Sequence, residues 1–301
     1  EAFENAVAEG SDWLELDVRR TRDGVVVVSH DRELSRQCGR HLDIGQLDYQ
    51  DLPPYQSPLE VTFSPGHFSQ GCDHRFPRLV EIFERFPRQP ISIEIKDDDD
   101  DLINDVAALV RRFDRAPITL WASFRERILR KCRRAHPQMP FCFSLERGLL
   151  TLLCWYLGLL PLLRLGEAAL LFPLPSIINR VCPNRHLESL PPSCFPPKIL
   201  IFHPKSAGFS PRGRGSGGGG VTEAPPPPQA PPPPLQVWLW VVNEERDFAE
   251  AFGLGATGVI TDYPGRLRKF LEGGGGPSPT PRDPSPTPGG ETLPREKKGR
   301  D

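Results

Sequence analysis

Trp13-Leu-Glu-Leu-Asp-Val occupies residues 13–18, and Val25-Val-Val-Val-Ser-His-Asp occupies 25–31. In the first run apolar and acidic residues alternate, which is the pattern of a strand with one acidic face. Asp23-Gly24 between them is a hairpin-type turn signal. The β-branched second run then returns as a strand. Because side chains repeat every two residues along a strand, Glu15 and Asp17 share one face. The returning strand brings His30 back to the level of that pair.

Outward from this hairpin the chain keeps a rhythm. Residues 1–10 predict a helix stopped by Gly10. Residues 34–75 are polar and turn-rich, a loop region with one short helix. Phe76, Leu79, Val80, Phe83 and Phe86 recur at helical spacing, and 90–96 is a strand. Asp97 to Asp101 form a charge run at the start of a helix over 102–113. A strand at 118–122, a helix at 124–135 and a strand at 140–145 follow. Later, Val237 to Val242 is a strand, Glu245 to Leu254 a helix stopped by Gly255, and Val259 to Thr261 a strand ending at Asp262, with a short helix finishing at Leu271. Strands alternating with helices of this length indicate a parallel sheet or barrel. A chain of 301 residues holds one (β/α)8 barrel with a tail to spare.

The 37 basic and 39 acidic residues nearly cancel, which argues against a dedicated nucleic-acid binder. Seven cysteines without a C-x-x-C pair argue against a thiolate zinc site or a redox pair, and the odd number fits reduced thiols better than a disulfide framework. Proline (36) and glycine (27) are clustered, so a globular part is diluted by flexible parts. The segment at about 183–236, with its glycine run and two tetraproline runs, interrupts the barrel over 1–272, and 273–301 predicts a disordered tail. A polyproline-binding module could dock on the prolines, but no obligate protein partner is evident. The opening residues are no signal peptide and begin inside an amphipathic helix, so a barrel piece is expected upstream.

Leu149 to Leu163 is free of charge, and the apolar stretch extends over 149–178. As a helix, those fifteen residues span ~22 Å, short of the ~20 residues a bilayer needs. Contact with a membrane surface, a re-entrant hairpin, a buried helix of the barrel wall and a true span all remain open on sequence.

Glu15 and Asp17 repel unless something positive sits between them, and a hard divalent cation with oxygen ligands is the natural partner. Glu94 ends another strand, with Lys96 two residues on. Three acids, a lysine and His30 at strand ends suit a metal-assisted displacement at phosphorus, the lysine neutralising phosphate charge and the histidine moving a proton. The same residues could equally be polar groups bound to one another at a barrel end.

Glu15-Leu-Asp-Val, Thr21-Arg-Asp-Gly, Val27-Val-Ser-His-Asp, Ile93-Glu-Ile-Lys, Trp240-Val-Val-Asn and Gly255-Ala-Thr-Gly-Val-Ile-Thr-Asp together resemble, in order and spacing, the glycerophosphodiester phosphodiesterase family. Ser64-Pro-Gly-His-Phe, Trp121-Ala-Ser, Tyr156-Leu-Gly-Leu-Leu-Pro and Ile177-Ile-Asn-Arg are similar to its membrane-associated subgroup. The resemblance implies a TIM (β/α)8 barrel, with Glu15, Asp17 and Glu94 as ligands of one divalent cation, Mg²⁺ or Ca²⁺. It places His30 on a catalytic position, Lys96 on the substrate phosphate and Trp240 by the pocket. It further implies conversion of lysophospholipids to lysophosphatidic acid and a free head group, at an endoplasmic-reticulum or perinuclear membrane accessible from the cytosol. The alternatives are a phosphodiesterase of water-soluble glycerophosphocholine-type substrates and an inactive membrane-associated binding protein. The family's second catalytic histidine, in a His-Arg-Gly motif on its first strand, has no counterpart here, and the Gly/Pro-rich segment stands where the helix after strand six belongs. The barrel as written is therefore expected to be incomplete, poorly stable and nearly inactive.

Overall fold

Short alternating runs build the sheet, because each inward polar residue has an outward apolar neighbour that a helix can cover. The computed structural model describes residues 1–62, 64, 66–69, 71–174, 176–177 and 235–276. Helix α1 (Ala2–Ala8) leads through Gly10, which adopts φ +83°, into β1 (Leu14–Arg20) and β2 (Val26–Val28). Then come a short α2 (Ser35–Cys38) and a small hairpin, β3 (Leu59–Glu60) and β4 (Phe68–Ser69). From α3 (Leu79–Arg85) onward the βα rhythm holds through β5 (Ile91–Ile95), α4 (Asp100–Arg112), β6 (Thr119–Ala122), α5 (Glu126–Ala135), α6 (Leu145–Tyr156) and β7 (Ala169–Pro173). The described chain ends with β8 (Gln236–Trp240), α7 (Glu245–Gly253), β9 (Gly258–Val259), α8 (Pro264–Phe270) and a π-helical turn at Leu271–Gly275.

The ladders reveal the barrel. β1 pairs parallel with β5, β5 with β6, β7 with β8 and β8 with β9. Parallel bridges Trp121↔Phe141 and Cys142↔Ala169 make residues 141–142 the strand between β6 and β7. Seven parallel strands thus follow one another in chain order. Among the described residues no ladder joins β9 back to β1, so the wall is open there. Trp13 and Trp238 meet near this seam with ring centroids 5.1 Å apart, and Arg268 reaches Glu9 at 3.6 Å. The fold is an incomplete (β/α)8 barrel, with helices outside and strand carboxyl ends at one mouth.

The main core lies between strands and helices. Leu14, Leu16 and Val18 of β1 and Ile91, Ile93 and Ile95 of β5 pack outward against α4 residues such as Leu102 and Val106, all buried. A second cluster joins Val237 and Leu239 to Phe248 and Ala251 of α7. Since Val237 and Leu239 face outward, alternation turns Trp238 and Trp240 inward.

Several expectations need correction. The strand at 140–145 is only the two bridging residues, and Ser144 already caps α6 by accepting from the Arg147 N–H. The apolar stretch 149–178 is not one element. It splits into most of α6, a 3-10 turn at Leu160–Leu162 and strand β7. Nor is α6 a buried wall helix, because none of its residues is buried. No described helix is long and apolar enough to cross a membrane. Residues 34–75 hold a hairpin and two 3-10 turns besides the short helix. Order returns at Gln236, one residue early, and Gly273–Gly275 belong to the π-helical turn rather than a tail. The rest of the Gly/Pro-rich segment up to 234, and residues 277–301, lie outside the described residues.

Candidate active site

The register decides which carboxylates meet. In the parallel ladder Asp17 stands directly beside Glu94, and Glu94 beside Ala122. Glu15 lies one pleat below Asp17 on the same inner face. One carboxylate oxygen from each of Glu15, Asp17 and Glu94 comes within 4.8 Å of the others. Lys96, just past the end of β5, places Nζ 2.7 Å from Asp17 Oδ1. Glu94, fourth of the five residues of β5, and Lys96 just beyond it lie toward the carboxyl end of that strand, the end at which barrels of this kind carry their chemistry.

Three acids held this closely inside a barrel resist ionisation. Burial, then the charges of Asp17 and Glu94, hold the Glu15 carboxyl well above the usual carboxylate range. Burial, then Asp17, push Glu94 up to about 7, against the opposing pull of Lys96 and Arg19. One lysine does not neutralise three carboxylates. A hard divalent cation bound by oxygen ligands would, and the donor set present here fits one.

His30 is placed by the hairpin. The Ser29 N–H donates to the Asp17 carbonyl at 3.0 Å, continuing the Val18↔Val28 register, so His30 does return to the level of the acids. Its ring, half exposed, bonds through Nδ1 to Asp31 Oδ1 at 2.6 Å, and no hydrogen bond or ion pair links it to the three carboxylates. Arg36 Nε donates to the other Asp31 oxygen at 2.7 Å. The Asp31 carboxyl is held below its usual range by its bonds to Arg36 and His30, which outweigh the opposing effect of burial. Nδ1 is thereby engaged, and Nε2 is the ring nitrogen outside that bond.

Sequence reasoning missed Arg19, which shares the inner face two residues beyond Asp17. It is buried, forms an ion pair with Asp97 at 2.7 Å and donates from Nη2 to the His30 carbonyl at 2.8 Å. The i, i+2, i+4 spacing of Glu15, Asp17 and Arg19 held that information. Also missed was the pairing of Asn243 with Asp262, Nδ2 to Oδ2 at 2.9 Å, which ties the ends of β8 and β9; the Asp262 charge contributes to the raised Glu15 carboxyl. Trp240 ends β8 at the mouth, its ring edge-on to Phe124 at 5.6 Å.

Fold and site together define a parallel αβ barrel whose mouth gathers acids, a lysine and a carboxylate-held histidine. Residues 1–151 match the model of the glycerophosphoryl diester phosphodiesterase family. The chain is 45% identical over 282 residues to human lysophospholipase D GDPD3, covering 91% of this chain and 80% of that protein. It is 38% identical over 270 residues to human lysophospholipase D GDPD1, covering 90% and 80%. Among solved structures, the glycerophosphoryl diester phosphodiesterase domain of an uncharacterized Mycobacterium tuberculosis protein superposes with TM-score 0.60 at 17% identity, over 89% of this chain and 91% of that one. The chain belongs to the glycerophosphoryl diester phosphodiesterase family, and is by that membership a phosphodiester hydrolase.

Proposed function

We propose that this protein is a lysophospholipase D, cleaving the head-group side of a lysophospholipid phosphodiester to give lysophosphatidic acid and a free alcohol. The observation that carries the reading is the convergence of Glu15, Asp17 and Glu94 beside Lys96 on one inner face. The three carboxylates would hold one divalent cation, Mg²⁺ or Ca²⁺, which supplies charge stabilisation at the phosphoryl oxygens when bound. Lys96 sits at the cluster with its ammonium available to neutralise a phosphate oxygen. In the net reaction the oxygen of water forms a bond to phosphorus and gives up a proton, the bond from phosphorus to the head-group oxygen breaks, and that oxygen takes a proton. His30, with Nδ1 fixed by Asp31, moves a proton at Nε2. Arg19 holds the His30 backbone through its carbonyl. Trp240 and Phe124 form an apolar rim at the mouth suited to the glycerol and first acyl carbons. The setting we propose is a cytosol-accessible endoplasmic-reticulum or perinuclear membrane.

The test is choline release from lysophosphatidylcholine and glycerophosphocholine side by side, with Mg²⁺ or Ca²⁺ added, by a form that also carries the family's first strand with its His-Arg-Gly motif. A kcat/KM at least ~10-fold higher for the lysophospholipid is expected, since an acyl chain adds buried apolar area. Equal or reversed preference would replace the lipid reading with the soluble-diester one.

A further inference from the structure

Strand β2 ends at Val28, short of His30. Backbone bonds to β1 therefore hold the chain only as far as Ser29, whose N–H donates to the Asp17 carbonyl at 3.0 Å. Beyond that point a side chain takes over. Arg19 Nη2 donates to the His30 carbonyl at 2.8 Å, and among the described residues no backbone N–H does so. The same guanidinium sets Nη1 2.7 Å from Asp97 Oδ1. Its Nε is buried and bonds to nothing among the described residues, so these two oxygens are its partners.

Stability alone is a poor reason for such a group. A guanidinium that is only 7% exposed has lost most of its water, and one ion pair seldom returns more than that loss. What the arrangement does supply is direction. A guanidinium is a flat, rigid fork, so an acceptor that fixes Nη1 also fixes where Nη2 points. Asp97 is well placed to be that acceptor. It follows Lys96, whose Nζ lies 2.7 Å from Asp17 Oδ1. The end of β5 is held in turn by Ser123 Oγ, which donates to the Ile95 carbonyl at 2.7 Å, both residues being buried. A short line of bonds thus runs from the end of β6 through the end of β5 to Asp97, Arg19 and the backbone of His30. Asp31 sets the rotation of the His30 ring, but as the next residue it travels with the same backbone. Arg19 is the tie that reaches His30 from another strand.

We infer that Arg19 and Asp97 are a positioning pair for His30, which holds its backbone in place beside the acids so that Nε2 meets a phosphodiester bound there. This rests on the proton-transfer role proposed for His30. Neither residue touches the reacting atoms. Both act through His30, so their effect belongs to turnover and not to substrate binding.

The experiment is steady-state choline release from lysophosphatidylcholine, with Mg²⁺ or Ca²⁺ added, by a form that also carries the family's first strand with its His-Arg-Gly motif. Arg19→Lys keeps a charge near Asp97 and Glu94 but loses the fork, since one ammonium on a flexible stem does not hold two separate acceptors in fixed directions. It should melt as the wild type does, lower kcat by ~10-fold or more and leave KM within about twofold. In a His30→Ala background the same change should cost nothing further, because the residue it positions no longer carries the proton. Asp97→Asn by itself strands a buried guanidinium, so the pair is also removed together, as Arg19→Met with Asp97→Asn, and the same two results are expected. Full turnover in Arg19→Lys, a raised KM with kcat retained, or losses that multiply with His30→Ala would each overturn the proposal. So would failure of both Arg19→Lys and the double variant to fold, which would make the pair part of the scaffold. In all of these cases a ~100-fold loss in His30→Ala alone leaves the proton-transfer role standing. If His30→Ala alone keeps full turnover, that role falls, and the positioning pair falls with it.

Discussion

Glu94 carries the electrostatic tension of the site. Its carboxyl titrates near 7 in the folded chain, against an ordinary 4.5, so the folded form keeps a proton that the unfolded chain has released. This contribution to stability is fully present below about pH 4.5 and is lost as pH rises through about 7. In chelator, urea unfolding should therefore show stability falling between about pH 5 and 8, by at most ~3 kcal/mol from this group. Glu94→Gln should flatten that slope and be the more stable protein at pH 8. A Glu94→Gln slope equal to the wild type would mean the carboxyl titrates normally. The second residue-scale expectation concerns His30. Its Nδ1 bond to Asp31 leaves Nε2 for proton transfer, so in a chain that also carries the family's first strand with its His-Arg-Gly motif His30→Ala should lower kcat by at least ~100-fold, while in the present chain it should change almost nothing. His30→Asn should be nearly as damaging, because an amide cannot shuttle a proton at neutral pH. Undiminished turnover in either variant of the longer chain would make the residue structural.

Among the elements, the β1–β2 hairpin ties sequence to site most directly. Gly24 takes φ +82° at the turn, and a Cβ there would meet the Arg20 guanidinium at 3.1 Å. Gly24→Ala should cost ~1–2 kcal/mol, measured as a shift in urea midpoint with an unchanged m-value; a shift of a few tenths would show that the turn relaxes. This hairpin was legible because alternation, a β-branched run and a turn dipeptide agree within nineteen residues. The helices α3, α4 and α5 were legible for the same reason, each having one apolar face against a charged one. Glu15, Asp17 and Glu94 could be placed on strands, but their meeting depends on the Asp17↔Glu94 register, a contact across 77 residues. The stretch from 149 to 178 stayed open on sequence because a leucine repeat with few polar residues between does not say whether that face of a helix is exposed or buried. β7 was hidden within it, since a buried strand and a helix segment look alike in a continuous apolar run. The ring of His30 went to Asp31 because adjacent residues at a strand end can bond without help from the fold.

For the whole molecule, seven parallel strands set the acids at one mouth. The barrel rule that loops at strand carboxyl ends carry the chemistry was readable from the alternating pattern, and the open seam between β9 and β1 agrees with the incomplete barrel that the resemblance implies. The account rests on one claim, that Glu15, Asp17 and Glu94 together hold a divalent cation that phosphodiester hydrolysis requires. The direct measurement is head-group release by a full-length form that carries the family's first strand with its His-Arg-Gly motif, as wild type and as Glu15→Ala, Asp17→Ala and Glu94→Ala, first in chelator and then with Mg²⁺ or Ca²⁺ restored. The account predicts loss of wild-type activity in chelator, recovery on adding the ion, and at least a ~100-fold loss in each variant with or without it. Wild-type turnover undiminished in chelator, or any one variant within about threefold of wild type, would contradict it.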